Sequence, residues 1–184
     1  MSAAAAPAHA RPPPGRLRLF AVLAGLYVAQ AIPSYLLAAA IPPIMREAGV
    51  SRSAIGYFSI LFLPLVLKFL WAPWVDRVRP FARAHRAGWV VLTQLGVVAC
   101  LLALNAVSPD DPASILAIGF VAALLVSTQD IATDGYAAKH LAPADRGVGN
   151  AIQGGSIAFG VVVGGTLAMA VTYGIGSVLG VGLG

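Results

Sequence analysis

Between Ala113 and Ala137 an apolar stretch of chain carries two carboxylates, Asp130 and Asp134, within the segment STQDIATDGYAAKH that runs from Ser127 to His140. As a helix, such a stretch is long enough to cross about 30 Å of hydrocarbon. At 100° per residue, Ser127, Asp130 and Asp134 fall within about 60° of one another, on one helix face. An ionisable group at membrane depth is expensive and almost always faces a bundle interior or a wet cavity. This pattern therefore predicts a membrane bundle with a polar interior.

The remainder of the chain agrees. Of its 184 residues, 59% are hydrophobic and only 10% charged, and the mean hydropathy is +0.84. A soluble domain would carry roughly 25% charged residues. The net charge of +5 is divided among the joints between apolar spans, as topology signals are, so no nucleic-acid partner is expected. Membrane lipid is the expected surrounding. Cys100, the single cysteine, excludes an internal disulfide framework and reads as a small apolar packing residue.

Met1 to Gly15 is Ala- and Pro-rich without apolar periodicity and is expected to be a disordered tail, with residues 16–184 forming the bundle. Five spans are predicted at about 19–41, 54–75, 88–107, 113–137 and 147–172, followed by a stub at 174–184 too short to cross alone. Arg16, Arg18 and the Ala38-Ala39-Ala40 run also fit a cleaved signal peptide, but the apolar stretch is longer than such a peptide's core. Ser51 or Ser53 is the expected N-cap of the second span, and Asp111-Pro112 opens the fourth. A cytoplasmic N-terminus places Arg11, Arg16, Arg18, Arg77, Arg79, Arg83, Arg86, Lys139 and Arg146 inside. Only Arg46 and Arg52 are then outside, so the positive-inside rule holds by nine to two. Twelve of the 20 glycines fall from Gly147 onward, and Gly160-xxx-Gly164 has the spacing of close helix packing.

Polar groups recur at comparable depth in three spans. In the first, Tyr27, Gln30 and Ser34 follow i, i+3, i+7 beside Pro33. They read either as a cavity wall or as a packing stripe with a kink. Lys68 lies roughly 21 Å from the outer end of the second span, and Asp130 about 27 Å from that of the fourth. Lys68 can therefore pair with Asp130 or Asp134, or else snorkel to the inner headgroups. Asn150, Gln153 and Ser156 form a polar edge on the fifth span, lining the same cavity or bonding between helices. A carboxylate balanced between desolvation and a nearby cation can take up and release a proton, which makes Asp130 the leading candidate for proton coupling or substrate contact. Gln129 beside it belongs to the candidate set. No cofactor and no metal site is expected.

Several stretches resemble one family. Lys68 to Arg77, KFLWAPWVDR, is similar to the KFLW-x-P-x-x-DR signature of AmpG-like permeases in the major facilitator superfamily. Gln129-Asp130-Ile131 with Asp134 resembles the QDI-x-x-D of their fourth helix. Leu141 to Gly149, LAPADRGVG, resembles the loop that follows, and Gly160 with Gly164-Gly165 resembles the fifth helix. The resemblance implies an all-α secondary transporter of the bacterial inner membrane, built from two six-helix halves with the substrate near the midplane. This chain would supply an incomplete first half, with a missing second half or a second copy of the chain as partner. It implies a small-molecule cargo, since relatives carry anhydro-muropeptides, siderophores such as pyochelin or rhizobactin, or acetyl-CoA. It also implies a gating role for Asp76 and Arg77 in a cytoplasmic loop, with Arg146 in the loop after the fourth helix. Ala158 stands where family members commonly have a cation, and the segment Asn150 to Gly155 is closer to the siderophore permeases.

Rival readings are weaker in their residues. Asp134 to Lys139 resembles the DG-x-x-AR core of CDP-alcohol phosphotransferases, but the two further aspartates that core needs are absent after Asp145. Intramembrane aspartyl proteolysis wants carboxylates on two facing helices, and here both share one. A non-transporting remnant, or a structural or regulatory membrane protein, is the remaining alternative, because alternating access needs two units that rock against each other.

Overall fold

A computed structural model of the protein describes residues 14–81 and 85–170. Residues 1–13 of the expected tail, Arg83, the end of the fifth span and the stub at 174–184 lie outside the described residues, whereas Pro14 and Gly15, expected in the tail, begin the first helix. Among the described residues every regular element is helical, and five helices are long and apolar enough to cross a membrane: Gly15–Glu47, Arg52–Leu70, His85–Leu104, Pro112–His140 and Pro143–Ala170.

The first span runs past the expected end at residue 41 to Glu47. Pro42 and Pro43 read as a stop, because proline lacks the N–H that continues a helix. A π-helical segment, Leu36–Ala40, precedes a fresh α segment, Ile41–Glu47, whose first turn holds both prolines. In a first turn the missing donor is not needed. The span ends at Gly49, whose φ of 85° is open to glycine. There the Val50 N–H donates to Met45 O at 3.0 Å and the Gly49 N–H to Arg46 O at 3.2 Å, closing the last turn.

Expected as one helix to residue 75, the second span instead breaks at Trp71 and resumes as a short helix, Ala72–Arg77. Prolines account for its segmentation, since Pro64 and Pro73 each sit in the first turn of a new segment. Ser51 caps the start, its hydroxyl accepting from the Ala54 N–H at 3.2 Å. At the fourth span, Asp111 accepts from the Ser114 N–H at 3.2 Å. Hydrogen bonds from Ser114 hold the Asp111 carboxyl below its ordinary range.

The fourth span is the axis of the bundle. Half of its most apolar window is buried, against 28% or less for each of the others. The third span packs antiparallel along one side, with Gly96 closing on Leu125. The first packs on the other side and is flanked in turn by the fifth. Gly160 and Gly164 seat against Ala31 and Ile32 of the first span so closely that a Cβ at Gly160 would lie 2.6 Å from the Ala31 Cβ. This close approach is what small-residue spacing permits in lipid, where packing rather than hydrophobicity holds helices together. It leaves the polar face of the first span turned toward the fourth.

Candidate functional site

The carboxylates of the fourth span meet groups from two other spans. Lys68 bridges them, its Nζ paired with Asp130 Oδ2 and donating to Asp134 Oδ2 at 3.2 Å. From the first span, Gln30 Nε2 donates to Asp130 Oδ1 at 2.7 Å and Tyr27 Oη donates to Asp134 Oδ1 at 3.1 Å. The helical register explains the match. Tyr27 and Gln30 are three apart on one stripe, Asp134 and Asp130 four apart on the opposing antiparallel stripe, so the pairs align rung by rung. Asp130 is buried at 7% exposure, whereas the Asp134 side chain is 43% exposed and that of Lys68 30%. One ammonium against two carboxylates leaves a surplus negative charge when both are ionised. The resulting five-residue network has one deep end at Asp130 and one wetter end at Asp134.

A cavity of about 390 Å³ opens onto this network, with Gln30, Lys68, Asp130 and Gln153 in its walls. A second cavity of about 310 Å³ adjoins it and shares Ser34, Ala38, Phe62, Leu65 and Val126. Ser127 lines the second cavity, its hydroxyl donating to Ala123 O at 2.8 Å. Thus Asp130, Lys68, Gln30, Tyr27 and Gln153 come together around one cavity, with Asp134 bonded to its rim. Asn150 is exposed on the fifth span and lines neither cavity, and Gln129 points the other way. Fully buried, Gln129 accepts from Thr93 Oγ1 of the third span at 3.4 Å. Residue 158, where the resemblance places a cation, is exposed and also lines neither cavity.

At the loop end, Asp76 pairs with Arg86 at 3.3 Å, and Arg86 reaches Ala132 O at 3.5 Å. The Arg86 guanidinium lies where a Cβ at Gly135 would stand, so a side chain there would displace it. Arg77 and Arg146 are exposed. Sequence reasoning missed two features. Arg16, read as a topology signal, forms an ion pair with the buried carboxylate of Asp145. Phe62 and Leu65 line both cavities; their signal was the spacing of three that places them on the Lys68 face.

Residues 23–183 match the family model for the Major Facilitator Superfamily. The anhydromuropeptide permeases of Escherichia coli strains K12 and O157:H7 are each 30% identical over 159 residues, which is 83% of this chain and 32% of the permease. An uncharacterized protein of Haemophilus influenzae is 34% identical over 126 residues, 66% of this chain and 29% of that protein. The chain thus spans about a third of the length of the curated relatives it matches. No solved structure matches it significantly. With its multi-pass helical architecture and this match over most of its length, the chain belongs to the major facilitator superfamily.

Proposed function

We propose that the chain forms part of a secondary carrier that imports a medium-sized polar solute, of the muropeptide or siderophore kind, together with protons. The observation that carries this reading is Lys68 held between Asp130 and Asp134 at a cavity wall. Protonating one carboxylate removes the surplus charge and loosens the lysine's hold on it, so the arrangement of the network depends on how many protons it carries. Repositioning of Lys68 changes what the cavity offers a solute, and that links proton occupancy to cargo occupancy. In this reading Asp130 is the coupling carboxylate, and Gln30, Tyr27 and Gln153 contact the solute or orient the groups that do.

The same reading puts the N-terminus in the cytoplasm and the bundle in the inner membrane of a bacterium, on the strength of the asymmetry in arginine and lysine. Asp76, Arg77 and Arg146 then lie on the cytoplasmic face, where Asp76–Arg86 ties the loop to the fourth span and helps hold one conformation. A second half, on the same polypeptide or supplied as a second copy, completes the carrier. The test is proton-driven uptake in proteoliposomes of the complete carrier, with Asp130→Asn in this portion. Uptake is expected to fall to roughly a hundredth or less, the scale of losing a positioned proton-transfer group. Wild-type uptake by Asp130→Asn excludes the coupling role.

A further inference from the structure

Arg16 and Tyr27 stand on one stripe of the first span. They are eleven residues apart in an α-helix that runs from Pro14 to Tyr35. That spacing is three turns and about 16.5 Å, within roughly 20° of the same face. Tyr27 donates to Asp134, and Arg16 pairs with Asp145. Between these two rungs lies an apolar layer, in which Leu23 and Ala137 are buried with Leu19, Leu141 and Ile152 packed against them. Apolar contact is non-directional, so that layer holds the helices together without fixing how far one slides along the other. An ion pair, by contrast, joins two defined points.

Asp145 is a firm point of attachment. Its side chain is buried, and it ends the short turn Pro143–Asp145, where its N–H donates to Ala142 O at 2.8 Å. The Leu141 N–H donates to Ala137 O at 2.9 Å, and a Cβ at Gly149 would lie 2.5 Å from Leu141 Cδ1. The turn is thus fastened to both the fourth span and the fifth. We propose that Arg16 is a positioning residue: its pair with Asp145 sets the axial register of the first span, and so brings Tyr27 onto Asp134 and Gln30 onto Asp130. The inference rests on the carrier reading for the use made of that network. Without Arg16 a buried carboxylate is left without its cation, which is unfavourable. The turn then opens to water, the N-terminal end of the first span is released, and Tyr27 loses its seat on Asp134. Topology does not need Arg16, since eight cations against two still satisfy the positive-inside rule without it.

The test uses NMR of the full 184-residue chain in lipid nanodiscs, its tyrosines carrying carbon-13 at the ring carbon that bears the hydroxyl. That signal shifts when the phenol donates to a carboxylate. Tyr27→Phe assigns the Tyr27 signal, and Asp134→Ala gives its position without the bond. Arg16→Gln is expected to move the signal to the Asp134→Ala position, and Arg16→Lys to hold it at the wild-type one. Asp145→Asn keeps the side chain's shape and leaves no buried charge unpaired, so it stands in if Arg16→Gln does not fold; the same shift is expected. Tyr57, at the start of the second span, is expected to keep its signal throughout. A Tyr27 signal that stays put in Asp145→Asn, or in a folded Arg16→Gln, overturns the proposal. So does a shift that Tyr57 shares, which marks general loosening of the bundle. The carrier reading fails separately. Wild-type uptake by Asp130→Asn in the complete carrier removes it, while a Tyr27 signal that follows Arg16 keeps the positioning role; lost uptake with a Tyr27 signal indifferent to Arg16 does the reverse.

Discussion

Gln129 and Asp130 are adjacent on the most buried helix of the bundle, yet about 100° of rotation turns them toward different neighbours. Asp130 meets Lys68 and Gln30 at a cavity wall. Gln129 is sealed against the third span, where Thr93 reaches its Oε1 but its Nε2 has no protein partner among the described residues. Thr133, one turn further along that inner face, is fully buried and its hydroxyl is likewise unpartnered. One face of the helix joins polar groups from three spans beside an open volume; the other stores polar groups in a helix–helix seam. Polarity inside a membrane helix therefore does not by itself mark a site. Access does, together with partners that can exchange.

Three substitutions put this comparison at risk, and the largest effect is expected at Lys68. Lys68→Met leaves Asp130 and Asp134 facing each other without a cation. Removing one member of a buried ion pair costs up to about 3–5 kcal/mol; Lys68 is 30% exposed on its side chain, which lowers that figure. Thermal unfolding in detergent should show a clear loss that Asp134→Asn in the same chain largely restores. An unchanged melting temperature in Lys68→Met would show that the bridge adds no net stability to the bundle.

Tyr27→Phe comes next. It removes the hydroxyl that donates to Asp134 at 3.1 Å and retains the ring packed with Leu23 and Ala137. A loss of about 1 kcal/mol in stability, the net worth of one hydrogen bond, is expected. Proton-driven uptake by the complete carrier should fall by several-fold, and its dependence on pH should shift. Uptake that falls while the pH profile stays fixed would assign Tyr27 to the solute rather than to the proton.

Gln129→Leu should do least. It replaces a buried amide that has an unpaired donor, and Thr93 keeps its bond to Trp89 O at 2.7 Å. Exchanging a half-satisfied buried polar group for an apolar one of similar size is close to neutral, within about 1 kcal/mol. Uptake and melting temperature should both stay near wild type. A large drop in uptake with stability intact would move Gln129 into the site and erase the contrast between the two faces.

Much of the bundle was legible because its causes are local. Span number follows from hydropathy over some twenty residues, and the Asp111-Pro112 start of the fourth span from two neighbouring side chains. Expected ends went astray at proline, in the first span at Pro42-Pro43 and in the second at Pro73. Whether a proline stops a helix or opens a new segment depends on the backbone just before it. A π-helical turn there is not visible in composition.

By itself, the sequence determined that this chain lives in lipid, that it holds five apolar spans, and that Lys68 and Asp130 lie in the same third of the bilayer. Each conclusion needs only the rise per residue and the cost of charge in hydrocarbon. Tertiary structure alone decided that Lys68 takes both aspartates rather than the headgroups, that Gln129 turns away from Asp130's cavity, and that Arg16 holds Asp145. Those pairs are separated by tens of residues or more along the chain. Which partner wins is fixed by how the spans pack and rotate, and so by close contacts such as Gly160 and Gly164 on the first span.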